Sequence, residues 1–205
     1  MDWGTVANVG TAGGTLVLAL ATFGATRSAN RTARLTEKAM QLGLEPLLTT
    51  ARPEDPSERV SFQDNRMFVV PGGSAAVESS GGNIYFAIPV RNVGNGIAVL
   101  KSWSVIAGRV LADEGVSKPA DFRMLSRDLY IPAGGTGFWQ GAIRDADDWQ
   151  RPAVDRAVGE GEVTIDVRYQ DHYAGHPAVT RFFLRRLDDG SWFASVVRHF
   201  AIDAA

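Results

Sequence analysis

Val163-Thr164-Ile165-Asp166-Val167-Arg168-Tyr169-Gln170 decides the fold. Large apolar side chains alternate with polar ones over eight residues, and a period of two is the signature of a β-strand with one face in a core. One buried face and one polar face describe a strand of an antiparallel sheet. Downstream, Val179 to Leu187 and Trp192 to Phe200 flank Asp188-Asp189-Gly190, a turn of the Asp-Gly hairpin type. Upstream, Ile84 to Arg91 places Ile84, Phe86, Ile88 and Val90 on one face, Ile97 to Ala107 reads as a long strand, and Gly134-Gly135 introduces another over Thr136 to Ile143. Leu44 to Thr50 reads as a first strand, and Met67 to Val70 as a short one that pairs with Ala75 to Glu78 across Pro71-Gly72-Gly73. Between them, Arg52 to Glu58 carries Pro53 and Pro56 and reads as a loop. Eight or nine strands at this spacing predict a mainly β domain over 44–205, an Ig-like antiparallel β-sandwich. It has one short helix, in which Asp148 caps a turn running to about Val158.

The 205 residues are enough for one such domain and a helical segment before it. With Asp2, Arg27, Arg31, Arg34, Glu37 and Lys38 set aside, 17 basic residues stand against 21 acidic ones. That balance argues against a nucleic-acid surface. The absence of cysteine excludes disulfides, thiolate metal sites and cysteine nucleophiles. No cofactor motif is present: there is no P-loop and no G-x-S-x-G.

The segment before the β domain, 1–43, has a different character. Residues between Asp2 and Arg27 carry no charge, and Arg27, Arg31, Arg34 and Lys38 follow at helical spacing. The 24 uncharged residues measure about 36 Å as a helix, enough for a bilayer core of about 30 Å. Leu16, Leu18, Leu20 and Phe23 lie in its densest part, and Trp3 stands where an interfacial anchor belongs. The strong insertion promoters supply only about −2 to −4 kcal/mol, so three readings stand open: a spanning helix, a soluble or peripheral helix, and a cleaved signal. The spanning helix is the leading one. The cations after it place the β domain in the cytoplasm, with a single-pass protein in the cell membrane. The four cations can also lie along anionic lipid headgroups. Gly10 and Gly14 form a GxxxG pair that allows close helix pairing.

Three segments carry residues of chemical interest. Asp171, His172 and His176 gather at the end of a strand and include metal-ligating types, although Gly175 and Pro177 disfavour the helix that would align the two histidines. A polar hairpin loop is the simpler reading. Asp145-Ala146-Asp147-Asp148 begins like a calcium loop but lacks the glycine and terminal glutamate such a loop needs. Arg91-Asn92-Val93-Gly94-Asn95-Gly96-Ile97-Ala98 joins two strands, and its glycines suit a tight or bulged turn with positive φ. Trp103, Trp139, Trp149 and Trp192 are core residues in the simplest reading, and a partner surface if two or more are exposed together.

Taken together, Asp2 to Val6, the Arg27-to-Arg31 closure of the apolar run, Arg91 to Ala98, and Tyr169, Asp171, His172, Thr180, Arg181 and Phe182 form a pattern. It resembles a group of uncharacterised single-pass membrane proteins from high-GC Gram-positive bacteria. The resemblance implies an anchor helix and a β-sandwich, and adds no site residue. That group often has a second glycine after the one at Gly175, where this chain has His176. The expectation is a membrane-anchored interaction or accessory module with membrane lipid and a protein partner or second copy as its contacts. A tethered small-molecule or ion sensor is the alternative, and an enzyme comes third.

Overall fold

The alternating stretch from Val163 lies inside the larger half of one antiparallel sheet. The computed structural model describes residues 22–36, 39, 43–111, 114–173, 175 and 177–202. The chain divides into two units, Met1–Gly43 and Leu44–Ala205.

In the first unit residues 22–36 form a helix, α1. Phe23, Arg27, Arg31 and Arg34 share one side of it with Thr26 and Asn30, as spacings of three and four dictate. Among the described residues no helix is long and apolar enough to cross a membrane. Trp3, Gly10, Gly14, Leu16, Leu18, Leu20 and Lys38, all named for the anchor, lie outside the described residues.

In the second unit eleven strands are described. They are β1 (Leu48–Thr50), β2 (Glu58–Ser61), β3 (Met67–Val70), β4 (Ser74–Ser80), β5 (Asn83–Asn92) and β6 (Ala98–Ala107), then β7 (Arg123–Ile131), β8 (Thr136–Ile143), β9 (Glu162–Gln170), β10 (Ala178–Arg186) and β11 (Trp192–Ala201). Helix α2, Arg151–Glu160, joins β8 to β9 and ends on Gly161 in the left-handed conformation, with φ of 87°. Nine strands make one curled sheet. Its larger half runs β7-β6-β9-β10-β11, and the smaller half is β5 with β8 along one edge and β4 and β1 along the other. β4 is the corner: Ser74 and Ala75 pair with β11, whereas Ala76 to Ser80 pair with β5.

The two halves face each other across the main core. Ile84, Phe86, Ile88 and Val90 from β5 meet Val163, Ile165, Val167 and Tyr169 from β9, all fully buried. Trp103 and Trp139 meet edge to face in this core, with ring centroids 5.3 Å apart. Gly141 is required there, because a Cβ would come within 2.9 Å of both indoles. The opposite face of β5 is covered as well. Tyr85 and Ala87 pack under the β2–β3 hairpin with Val60, Phe62 and Val70, which forms a third layer.

Several expectations need correction. β3 pairs with β2, not with β4, so the hairpin closes through 62–66 rather than through Pro71-Gly72-Gly73. β2 follows directly on the proline-rich loop. β7 escaped the alternation reading because its pairing with β6 passes from Leu129 opposite Leu100 to Met124 opposite Ser102, so the intervening residues bulge out and break the period. The first strand is shorter than expected, since Leu44 lies in a turn and Glu45 to Leu47 lie outside β1.

Candidate functional site

The polar residues singled out by the sequence divide into those that brace the fold and those that do not. Asn92 is fully buried and is the clearest brace. Its Oδ1 accepts the N–H groups of Leu47 (3.1 Å) and Gly94 (3.0 Å), and its Nδ2 donates to the carbonyls of Gly96 (2.6 Å) and Ile131 (3.1 Å). The carboxamide therefore uses every strong position it has. Gly94 and Gly96 do not take positive φ. They are needed because the Leu44–Leu47 backbone crosses so closely that a Cβ on Gly94 would stand 2.3 Å from the Glu45 carbonyl oxygen, and one on Gly96 would stand 1.6 Å from that of Leu44. Beside them, the Arg91 guanidinium pairs with Asp55, with Nε 3.0 Å from Oδ2. That hydrogen bond holds the Asp55 carboxyl below its ordinary value.

Asp171 and His172 take separate parts in the loop after β9. Asp171 is buried and its Oδ1 accepts the Gly175 N–H at 3.0 Å, which closes the loop. His172 points to solvent and meets the Tyr173 ring edge-on at 5.6 Å. His176 lies outside the described residues. Among the described residues no group of three or more metal-ligating side chains gathers.

In the acidic run, Asp145 Oδ1 accepts the Asp147 N–H at 2.9 Å and Asp148 Oδ1 accepts that of Gln150 at 2.9 Å. Asp148 does not cap α2 as expected. Gln150 occupies the cap position without a side-chain bond, and Asp148 forms the turn before it. Its carboxylate also takes a two-pronged contact from Arg123, at 2.9 and 2.7 Å. Burial pushes the Asp148 carboxyl up, but the Arg123 and Gln150 hydrogen bonds outweigh it and the net shift is downward.

Two features were not legible beforehand. The first is a polar chain that runs from the buried Tyr169 and Thr180 to His199 at the exposed side of β11. Thr180 Oγ1 lies 3.1 Å from Tyr169 Oη, 2.9 Å from His199 Nδ1 and 3.3 Å from the Leu48 carbonyl, and the Leu48 N–H donates to Tyr169 Oη at 3.4 Å. It ties β1 to the larger half-sheet. Burial pushes the Tyr169 hydroxyl up and the His199 imidazole down.

The second is a groove along β6. Pairing with β7 stops at Trp103, so Ser104 to Ala107 have a free edge there. Segments 116–121 and 149–154 rise on either side and enclose about 420 Å³. Gln150 Nε2 donates to the Val105 carbonyl at 3.4 Å. Gln150 Oε1 and the fully buried Ser104 Oγ have no hydrogen-bond partner. Trp149, beside them, is 74% exposed, whereas Trp103, Trp139 and Trp192 are buried in the core. The core reading of the tryptophans thus applies to those three.

No protein-family profile matches the chain, and no curated protein matches it. Among solved structures, this chain is similar to a protein from Archaeoglobus fulgidus at 8% identity and a TM-score of 0.26, over 64% of this chain and 95% of that one. It is similar to a β-glucosidase from Kluyveromyces marxianus at 11% identity and a TM-score of 0.23, over 65% of this chain and 15% of the enzyme. A structural-genomics target matches at 11% identity and a TM-score of 0.22, over 62% of this chain and 84% of its own. At these scores the likenesses carry no argument about function.

Proposed function

We propose that this chain is a membrane-anchored interaction module: a single-pass helix, a basic cytoplasmic stripe and an Ig-like β-sandwich that engages another protein or a second copy. The observation that carries the reading is the outer layer. The β2–β3 hairpin seals one face of β5 with Val60, Phe62 and Val70, yet its other face leaves Met67 and Val69 more than 60% exposed. Two neighbouring apolar side chains on one strand face suit a contact surface, and methionine adapts to varied partners. The carboxyl groups with downward shifts, Asp55, Asp64, Asp148 and Asp189, are each held as carboxylates by hydrogen-bond donors. That suits bracing rather than proton transfer. The apolar run ahead of Arg27 supports the anchor, and the cations after it support a cytoplasmic domain.

Co-purification from gently solubilised membranes tests the module. The wild-type chain should recover a partner or a homo-oligomer, and Met67→Lys/Val69→Lys should lose it. Recovery of nothing by the wild type, or of the same species by the double variant, rejects the reading. Protease protection of a C-terminal tag on spheroplasts tests the orientation, which is wrong if the tag is cut from outside.

A further inference from the structure

We propose that the groove beside β6 is a binding site for a small, neutral molecule that carries a primary carboxamide on an apolar body. The proposal is independent of the Met67–Val69 surface and of the anchor.

Three observations lead there. The groove is of ligand size, at about 420 Å³, and ordinary small-molecule sites are apolar clefts of roughly 300–1,000 Å³ with a few placed polar groups. Its apolar walls are Val116, Trp149, Ala153 and Val154, with Ile106 and Ala107 on the strand side, and Lys118 and Asp121 add one charge of each sign to the lining. Two of its buried polar atoms are unsatisfied. Ser104 Oγ and Gln150 Oε1 are both buried and unpaired, and buried polar side-chain atoms in folded proteins nearly always have a partner. Leaving such a group unmade is costly, so a partner supplied from outside is strongly favoured.

The chemistry of the two groups defines the ligand. Gln150 Oε1 only accepts. Its own Nε2 already donates to the Val105 carbonyl, which fixes the orientation of the carboxamide. Ser104 Oγ can donate. A ligand that offers an N–H to Gln150 and an oxygen to Ser104 satisfies both, and a primary carboxamide carries the two on one planar group. A carboxylate has the oxygen but no donor, and would set a second acceptor against Gln150 Oε1. The exposed Trp149 ring supplies a flat apolar face for the ligand body.

Benzamide is the probe, with N,N-dimethylbenzamide and benzoate as matched controls. The first control keeps the carbonyl and ring but has no N–H. The full-length chain, labelled at its indole nitrogens, is titrated with each and read by the Trp149 indole N–H shift, assigned with Trp149→Phe. Benzamide should move that resonance saturably, and N,N-dimethylbenzamide and benzoate should bind about two- to tenfold more weakly, the worth of one hydrogen bond. Gln150→Leu should abolish the preference for benzamide over its dimethyl analogue. Ser104→Ala should weaken both amides while leaving their ratio unchanged. Circular dichroism of each variant confirms folding, and two variants on different elements keep the test open if one misfolds. No saturable Trp149 shift with benzamide overturns the proposal. So does equal binding of the two amides, or a preference that survives Gln150→Leu. The blocked tripeptide N-acetyl-Val-Val-Val-N,N-dimethylamide, which has no primary carboxamide, is the last arm. Binding more than about tenfold tighter than benzamide would assign the free β6 edge to an added strand, and the small-ligand site would be withdrawn.

Discussion

Asp166 on β9 and Arg181 on β10 stand opposite each other in the sheet register and form a two-pronged ion pair, at 2.7 and 2.8 Å, with at most 1% of either side chain exposed. Asp166 belongs to the polar face of the strand whose alternation decides the fold. That face is not in solvent. The connection after β6 folds back over it. Ser117 gives its N–H and hydroxyl to Asp166 Oδ2, and Arg181 reaches the carbonyls of Glu114 and Gly115.

Breaking this pair should be severe. Arg181→Ala leaves a buried carboxylate with Ser117 alone, and removal of one partner of a buried pair costs about 3–5 kcal/mol. Arg181→Lys should recover little, because a single ammonium cannot reproduce the planar fork or reach both carbonyls. Asp166→Leu combined with Arg181→Met should recover much of the loss, since no charge is then stranded. Chemical denaturation measures each variant. Hydrogen exchange at Ser117 should quicken in Arg181→Ala, because the connection loses its anchor.

The glycines of the Arg91–Ala98 turn make a second prediction. Their φ values are ordinary, so a conformational argument predicts tolerance. The crossing backbone predicts the reverse. Gly96→Ala should destabilise by several kcal/mol, on the order of other overpacked sites or worse, because its Cβ would meet the Leu44 carbonyl at 1.6 Å. Gly159→Ala is the matched contrast. That glycine is in α2 with nothing within 4 Å of a Cβ, and alanine should stabilise by about 0.5–1 kcal/mol. Thermal unfolding of the two variants checks both signs.

These cases show what could be read from the sequence. Period-two runs on β5 and β9 located the main core correctly, because each has one uniformly apolar face. The same runs could not show that the second face is also covered. On β5 the cover is a separate hairpin, and on β9 it is a connection whose residues carry no periodicity. The β6 groove was equally hidden. Ser104 and Gln150 are ordinary polar residues in sequence, and they line one groove only because β7 stops pairing at Trp103 while the start of α2 approaches the same edge.

His199 gives a pH dependence with a defined sign. Partial desolvation at the exposed end of β11 holds its imidazole below the ordinary value of 6.5, so the unfolded chain binds the proton more readily. The neutral ring therefore contributes stability that is complete above about pH 6.5 and is lost as pH falls toward the folded value. Unfolding midpoints should drop between pH 7.5 and pH 5, and His199→Gln should flatten that part of the curve. The Tyr169 hydroxyl, pushed up by burial, stays neutral across this range and leaves the slope to the histidine.

Tyr85 offers a spectroscopic check on the third layer. Its ring packs edge-on against Phe62, with centroids 5.1 Å apart, and its hydroxyl donates to Asp64 in the β2–β3 turn. That hydrogen bond is the largest cause of the lowered Asp64 pKa, with Arg144, 3.8 Å from the carboxylate, a smaller one. Tyr85→Phe keeps the aromatic packing and deletes only the donor. The Asp64 carboxyl should then titrate closer to its ordinary value of 3.8, read from its side-chain carbon shift, while the aromatic contacts to Phe62 persist. An unchanged titration would mean that the hairpin is not held over β5 by this bond. Loss of the Phe62 contacts would mean that the hydroxyl, rather than the rings, docks the layer.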